Sequence, residues 1–379
     1  MTRDSSPIVA SNETLTSQTA TLFRIFQEGI GTWMDILDHS LTFQRRVLPC
    51  AISSPLLLHS ICALSAQQMS LTKDKDLWEP ISMLHYGQSL RLLSEDLWAE
   101  GTNKDIILSA TILLCSHNSL AFPDADYQRL LYGGRILIEA DFNAIDANDL
   151  SRASFWIYVR HDVSLALDNE RPTLIPPNEW PAVPSPQETQ EDAFAKRMLW
   201  LLARVIEVRF DGRSDGNGKE LENRILDLTS EITGWEMSIP GHANGVEVED
   251  DLADDLKRTW FFVPSAAAGY LYYQLANILC LEFWRSRPAG PVPDDVSDAA
   301  LRGHALEIAS ICLSPDVSDG VLAVAVNPLF YAAKHCASLS LEARIWALLE
   351  DIERRLGIHT RNRVSRLQRQ WVSTAETTA

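Results

Sequence analysis

The chain has 379 residues, 46% of them hydrophobic, enough to bury a large core in one big domain or two closely packed halves. Its 51 acidic against 33 basic side chains leave a formal charge of −18, a field that repels phosphate polyanions and opposes non-specific nucleic-acid binding by the chain as a whole. MTRDSSPIVASNETLTS has no apolar run, so no secretory signal is expected, and six cysteines without a CxxC pair point to reduced thiols in an intracellular protein.

In chain order, residues 1–14 are polar and expected to be disordered. TATLFRIFQEGIGTWMDIL and SPLLLHSICALSAQQMSL have helical spacing, the second opening on a Ser-Pro start. EPISMLHYGQSLRLLSEDLWAE places Ile81, Leu84, Leu90, Leu93 and Leu97 at helical intervals, and KDIILSATILLCSHNSLAF is apolar nearly all round, as a central helix should be. In YQRLLYGGRILIEAD the pair Gly133-Gly134 weakens the helix, so close packing is the expected reason for it.

SRASFWIYVRHDVSLALDNERPTLIPPNEW is the stretch around which the rest is organised. Capped by Asp149 or Ser151, it predicts one amphipathic helix with Phe155, Val159, Val163 and Ala166 as its apolar stripe. Asp162 falls at the edge of that stripe and needs a partner, a hydrogen bond from Tyr158 four residues earlier being the structural candidate. Pro172, Pro176, Pro177, Pro181, Pro184 and Pro186 then exclude helix and central strand.

Beyond that Pro-rich loop, AFAKRMLWLLARVIEVRF, LENRILDLTSEITGWEMS, VPSAAAGYLYYQLANILCLEFWRS and DAALRGHALEIASICLS read as helices, and residues 327–372 as three more. Thr259 to Leu281 carries no charge and is long enough for a bilayer, but Pro264, Gly269, Gln274 and Asn277 favour a buried helix. No stretch alternates long enough to make a sheet. The expected architecture is all-α, a multi-helix assembly of antiparallel packed helices with long Pro-rich loops: a domain over 15–372, with halves 15–170 and 190–372 joined by loop 171–189, and a disordered tail at 373–379.

Catalytic patterns are missing: no HExxH, GxSxG, GxxxxGK[ST] or GxGxxG, and no metal-spaced Cys/His cluster, so neither metal nor cofactor is expected. His161 and Asp162 are adjacent and point about 100° apart on a helix, which rules out a direct dyad. His59 and His117 read as hydrogen-bonded core histidines, and His335-Cys336 as an accident of sequence rather than a nucleophile pair. The acidic run Glu249-Asp250-Asp251 to Asp254-Asp255 reads as a solvated loop, not a Mg²⁺ site. Arg354, Arg355, Arg361, Arg363, Arg366 and Arg369 form the one basic patch, a nuclear-import or partner surface or in part a complement to a helix dipole. If there is a ligand pocket, the organising helix and its tail nominate Trp156, Tyr158, Arg160, Asp162 and Arg171.

The order of GTWMDILD with LPCAISSPLLLHSICALSAQQMS, YGQSLRLLSEDL, LLYGGRILI, SFWIYVRHDVSLAL…RPTLIPPNEW, and NPLFYAAKHCA…LLEDIERRLGIHT…LQRQW resembles the fungal-specific transcription factor domain over roughly residues 30 to 372. The resemblance implies an all-α fold, a nuclear setting, regulation of metabolic or secondary-metabolite genes, and no catalytic residues. Regulators of that kind bind DNA through six closely spaced cysteines on two zinc ions in a basic N-terminal segment; here the first cysteine is Cys50, in an apolar region. DNA binding in that way is therefore not expected of this sequence. A fragment or mis-started product, a zinc-less co-regulator acting through protein contacts or a homodimer, and a helical pocket turned to binding or converting a small metabolite all stay open. Against the regulator stands an enzyme of a fungal biosynthetic pathway on the same scaffold, a cyclase, isomerase or hydratase; 11 tryptophans and 8 tyrosines motivate it, and core packing also explains them.

Overall fold

The computed structural model describes residues 15–121, 127–142, 145, 149–210, 218–248, 256–287, 296–336, 338–361 and 363–365. They build an all-α assembly of 14 α-helices with one small two-stranded ribbon. The termini 1–14 and 373–379, the acidic run 249–255, most of the polar turn after Phe210 and most of the Pro-rich connection after Ser286 lie outside the described residues.

The first helical run starts at Thr16, whose hydroxyl accepts the Thr19 N–H at 3.1 Å. Helix α1 (Ser17–Ile25) passes through a π-turn at Phe26–Ile30 into α2 (Gly31–Met34). Asp35 begins the next run from a distance: its two carboxylate oxygens accept the N–H groups of Phe43 and Gln44, both at 2.9 Å. This caps the π-turn Phe43–Val47 that leads into α3 (Leu48–Ser53).

Helices α4 (Pro55–Thr72) and α6 (Lys104–Ala121) are apolar nearly all round and buried nearly all round. Between them in sequence, α5 (Lys75–Trp98) is turned the other way from the expected stripe. Of the five apolar positions only Leu93 is buried; Leu84 is 63% exposed and Leu97 48%. The inward face belongs to Ser82 and Ser89. Ser89 Oγ lies 2.6 Å from Ser60 Oγ, and Ser82 Oγ bonds to the Ala63 carbonyl and to His117 Nε2. Serine is small enough to let α5 lie close against α4, and the satisfied hydroxyls remove the cost of burying it.

In α7 (Tyr127–Glu139) the two glycines have different reasons. A Cβ on Gly134 would meet the Tyr158 ring at 3.3 Å, whereas one on Gly133 would meet nothing within 4 Å. Helix α8 (Asp149–Asp168) is the organising stretch, and it is not amphipathic: Leu150, Phe155, Trp156, Tyr158, Val159, Asp162, Leu165 and Leu167 are all buried. Neighbours cover it on every side, including α6 and α9.

Residues 169–192 leave α8 as irregular chain with one 3₁₀ turn at Pro177–Glu179, as the prolines require. Two indoles pin this loop: Trp180 donates to the Ile175 carbonyl at 3.2 Å and Trp200 to the Pro177 carbonyl at 2.9 Å. The second half continues with α9 (Ala193–Arg209), α10 (Gly218–Met237), α11 (Pro264–Arg285), α12 (Asp298–Cys312), α13 (Asp319–Lys334) and α14 (Leu339–Leu356). Helix α13 starts eight residues before the expected Asn327, under a Ser318 cap, and carries Pro328 in its interior. The unexpected ribbon pairs β1 (Val246–Val248) antiparallel to β2 (Arg258–Trp260), strands of three residues each.

No helix among the described residues is long and apolar enough to cross a membrane. Helix α11 packs against α9 so closely that a Cβ on Gly269 would stand 3.3 Å from the Ala195 Cα.

Candidate ligand cavity

Ile157, Arg160, His161, Ser164 and Asp168 follow the three-and-four spacing of one face of α8, and that face borders a cavity of about 430 Å³. The rest of the wall comes from other helices: Trp33 on α2, Ser116 on α6, Leu199 on α9, Tyr272 on α11 and Asn327 on α13. The volume falls within the roughly 300–1,000 Å³ of small-molecule sites, and the lining is mainly apolar with a few polar groups.

Arg160 dominates the polar wall. Its Nη1 donates to the Trp33 carbonyl at 2.7 Å and its Nη2 to the Met34 carbonyl at 3.4 Å. No carboxylate accepts from it among the described residues, and its Nε–H and the Trp33 indole N–H are buried without a hydrogen-bond partner. Burial lowers the guanidinium's pKa, yet an arginine stays cationic in a protein. The closest acid by field is Asp35, whose own pKa burial raises to about 7 and whose oxygens are occupied by Phe43 and Gln44.

Around Arg160 the other groups are held neutral or paired. His161 Nε2 bonds Ser116 Oγ at 2.9 Å, and burial together with the Arg160 charge pushes the ring down to about 3. Burial pushes the Tyr272 phenol up to about 12, with Arg160 pulling the other way. Arg363 Nη2 grips both oxygens of Asp168 at 2.6 and 2.7 Å, and Asn327 donates to Ser164 Oγ at 2.9 Å. Two arginines against one aspartate leave the lining one positive charge, that of Arg160.

Of the five residues nominated from sequence, Arg160 alone lines this cavity. Trp156 points the other way, edge-on to Trp180 at 5.9 Å and with the Lys196 ammonium 5.6 Å from its ring centre. Tyr158 is buried against Gly134. Asp162 holds the loop, accepting the N–H groups of Leu174 at 2.8 Å and Ile175 at 3.0 Å; these backbone donors, rather than Tyr158, are the hydrogen bonds recorded at its carboxylate. Burial raises Asp162 to about 6 in spite of those two bonds and the nearby charge of Arg171. Trp33, Tyr272, Asn327 and Arg363 were not legible as wall residues, because each comes from a different segment far along the chain. Ser164 and Asp168 were missed as well, although they follow the nominated Arg160 at four-residue steps on the same helix.

Elsewhere the reactive side chains are committed to packing. His117 is fully buried, bonded to Ser82 and stacked on Tyr86 at 4.4 Å, and His59 Nδ1 lies 2.8 Å from His85 Nδ1. His335 turns to Glu282 Oε1 at 2.9 Å and Cys336 to the Ala332 carbonyl, so the two are not a catalytic pair. Burial raises the thiols of Cys62, Cys115, Cys280 and Cys312 far above neutrality. Asp38, His39 and Asp192 bring ligand atoms within 4.8 Å of one another, yet Lys196 Nζ sits 2.9 Å from Asp192 Oδ2, where its ammonium supplies the cation. In the basic patch, Arg354 and Arg355 pair with Asp351, Arg361 with Glu353 and Arg363 with Asp168; Arg366 and Arg369 lie outside the described residues. That pairing removes four of the six charges from an open basic surface.

No curated protein and no solved structure matches the chain. The family described as fungal specific transcription factor domain matches residues 21–374, nearly the whole length, and the chain belongs to it.

Proposed function

We propose that this chain is a transcription-regulatory domain whose helical core encloses an effector site, so that a small metabolite in the cavity of α8 governs its contacts with protein partners. The family supports a regulatory role in transcription, and the observation that carries the finer reading is the 430 Å³ cavity walled by seven helices besides α8's own polar stripe. A ligand that binds only the folded state stabilises it by mass action, which couples occupancy to the packing of every helix that touches it. Its genes are metabolic or secondary-metabolite genes of a fungus, its setting the nucleus, and its action runs through co-regulators or a second copy. The formal charge of −18 supports contact with proteins in preference to DNA.

A second reading, an enzyme on this scaffold, is favoured by the gathering of Arg160, His161 and Tyr272 in one wall. Their proton affinities speak against it. His161 is pushed to about 3 and Tyr272 to about 12, and Asp168 is locked to Arg363. A general acid or base works best with a pKa near the working pH, so these groups suit binding better than proton transfer.

Deleting the gene and measuring neighbouring transcripts and metabolites in the same cultures separates the two. Collapse of the transcripts with loss of a whole product series is the expected result. Unchanged transcripts with one accumulating intermediate would overturn it in favour of the enzyme.

A further inference from the structure

The charge balance of the cavity names the kind of molecule that fits it. A charge drawn out of water is costly unless paired, and the half-buried Arg160 is held by two backbone carbonyls with no carboxylate accepting from it among the described residues. The second arginine of the wall is neutralised by Asp168. Tyr272 is a hydroxyl donor in the Arg160 field. Away from these groups Ile30, Leu64, Ile157, Leu199, Leu202 and Leu275 form the apolar part of the wall, and neutral polar side chains such as Gln128 and Asn169 complete it. The site is therefore one unneutralised positive charge in a hollow whose remaining wall is mainly apolar with uncharged polar groups, inside a chain whose overall field is strongly negative.

We propose that the cavity takes an organic anion with an apolar body, its carboxylate seated on the Arg160 guanidinium with Tyr272 as the neighbouring donor. This rests on the reading of the cavity as an effector site and adds the class of effector. A carboxylate supplies the countercharge and acceptors that Arg160 lacks, and the apolar body displaces water from the leucine and isoleucine wall. Guanidinium geometry matches a carboxylate through two parallel N–H donors, which a lysine at the same place would not reproduce.

The test is isothermal titration and thermal unfolding of the full chain with decanoate, 1-decanol and acetate. Decanoate is expected to bind at one site and raise the melting temperature, with 1-decanol and acetate each weaker. Arg160→Met is expected to weaken decanoate by roughly tenfold to a hundredfold while leaving 1-decanol unchanged, the loss of a hydrogen-bonded charge. Tyr272→Phe is expected to weaken decanoate less, and Arg160→Lys to restore part of what Arg160→Met loses. Equal binding of decanoate and 1-decanol to the wild type would overturn the anion while leaving an effector site in place. Equal binding of acetate would overturn the apolar body, and no saturable binding of decanoate or 1-decanol would overturn both the anion and the effector site. Should Arg160→Met fail to fold, the wild-type ranking of the three probes and the Tyr272→Phe ratio decide the matter alone.

Discussion

At the residue scale, two buried aspartates organise backbone at a distance, and both do so at an electrostatic cost. Asp162 caps the start of the loop at Leu174 and Ile175, and Asp35 caps the helical run at Phe43 and Gln44. Removing the Asp162 carboxylate strands two N–H groups, one of them fully buried, at about 1–3 kcal/mol each. Asp162→Ala is thus expected to lose about 2–5 kcal/mol in denaturant unfolding; an unchanged midpoint with lost ligand binding would refute the structural role. The pH dependence has a definite sign. Burial raises Asp35 from 3.8 to about 7, so the unfolded chain releases this proton first and the group's contribution to stability falls as pH rises from about 4 to 7. Measured by unfolding at pH 5 and pH 8, the stability of Asp35→Asn relative to wild type is expected to improve by on the order of 2 kcal/mol. A gap that stays constant, or widens against the asparagine, would contradict the raised pKa.

At the element scale, α5 and α7 separate what pattern can show from what packing decides. The leucines of α5 have helical spacing, which predicts the helix but not the face it buries. Packing of α5 against α4 through Ser60 and Ser89 reverses the helix, because small hydroxyls permit an approach that leucines would block. Leu84→Glu on the exposed face is accordingly expected to shift stability by no more than about 0.5 kcal/mol, and Ser89→Leu to cost about 1–3 kcal/mol by overpacking. The glycine pair makes a matched test by thermal unfolding: Gly133→Ala is expected to gain about 0.5–1 kcal/mol of helix propensity, while Gly134→Ala presses on Tyr158 and gains less or loses. The helices themselves, the Pro-rich loop and the all-α class were legible because periodicity and proline are local signals. The face that each helix buries was not, as the α5 serines and the all-round burial of α8 show. The same limit hid the cavity: Arg160, Ser164 and Asp168 share a face in sequence, but Trp33, Tyr272 and Asn327 reach it only through tertiary packing.

At the scale of the whole molecule, one hydrophobic cluster runs from Leu22 to Val364, and the cavity lies within it. A ligand that displaces water from the apolar part of this wall and bonds its polar groups gains contacts that only the folded chain offers, so its binding stabilises the fold. On the proposed effector reading this links a metabolite to a regulatory output, because a ligand seated there would bear on α2, α6, α8, α9, α11 and α13 together. The most direct test is to replace the gene in its host by the Arg160→Met allele and compare neighbouring transcripts with wild type, the protein's abundance being checked by immunoblot. With abundance unchanged, the account predicts that the transcripts fall and the whole product series declines with them. Unchanged transcripts beside a single accumulating intermediate would contradict it, and would make the cavity a place where that intermediate is consumed.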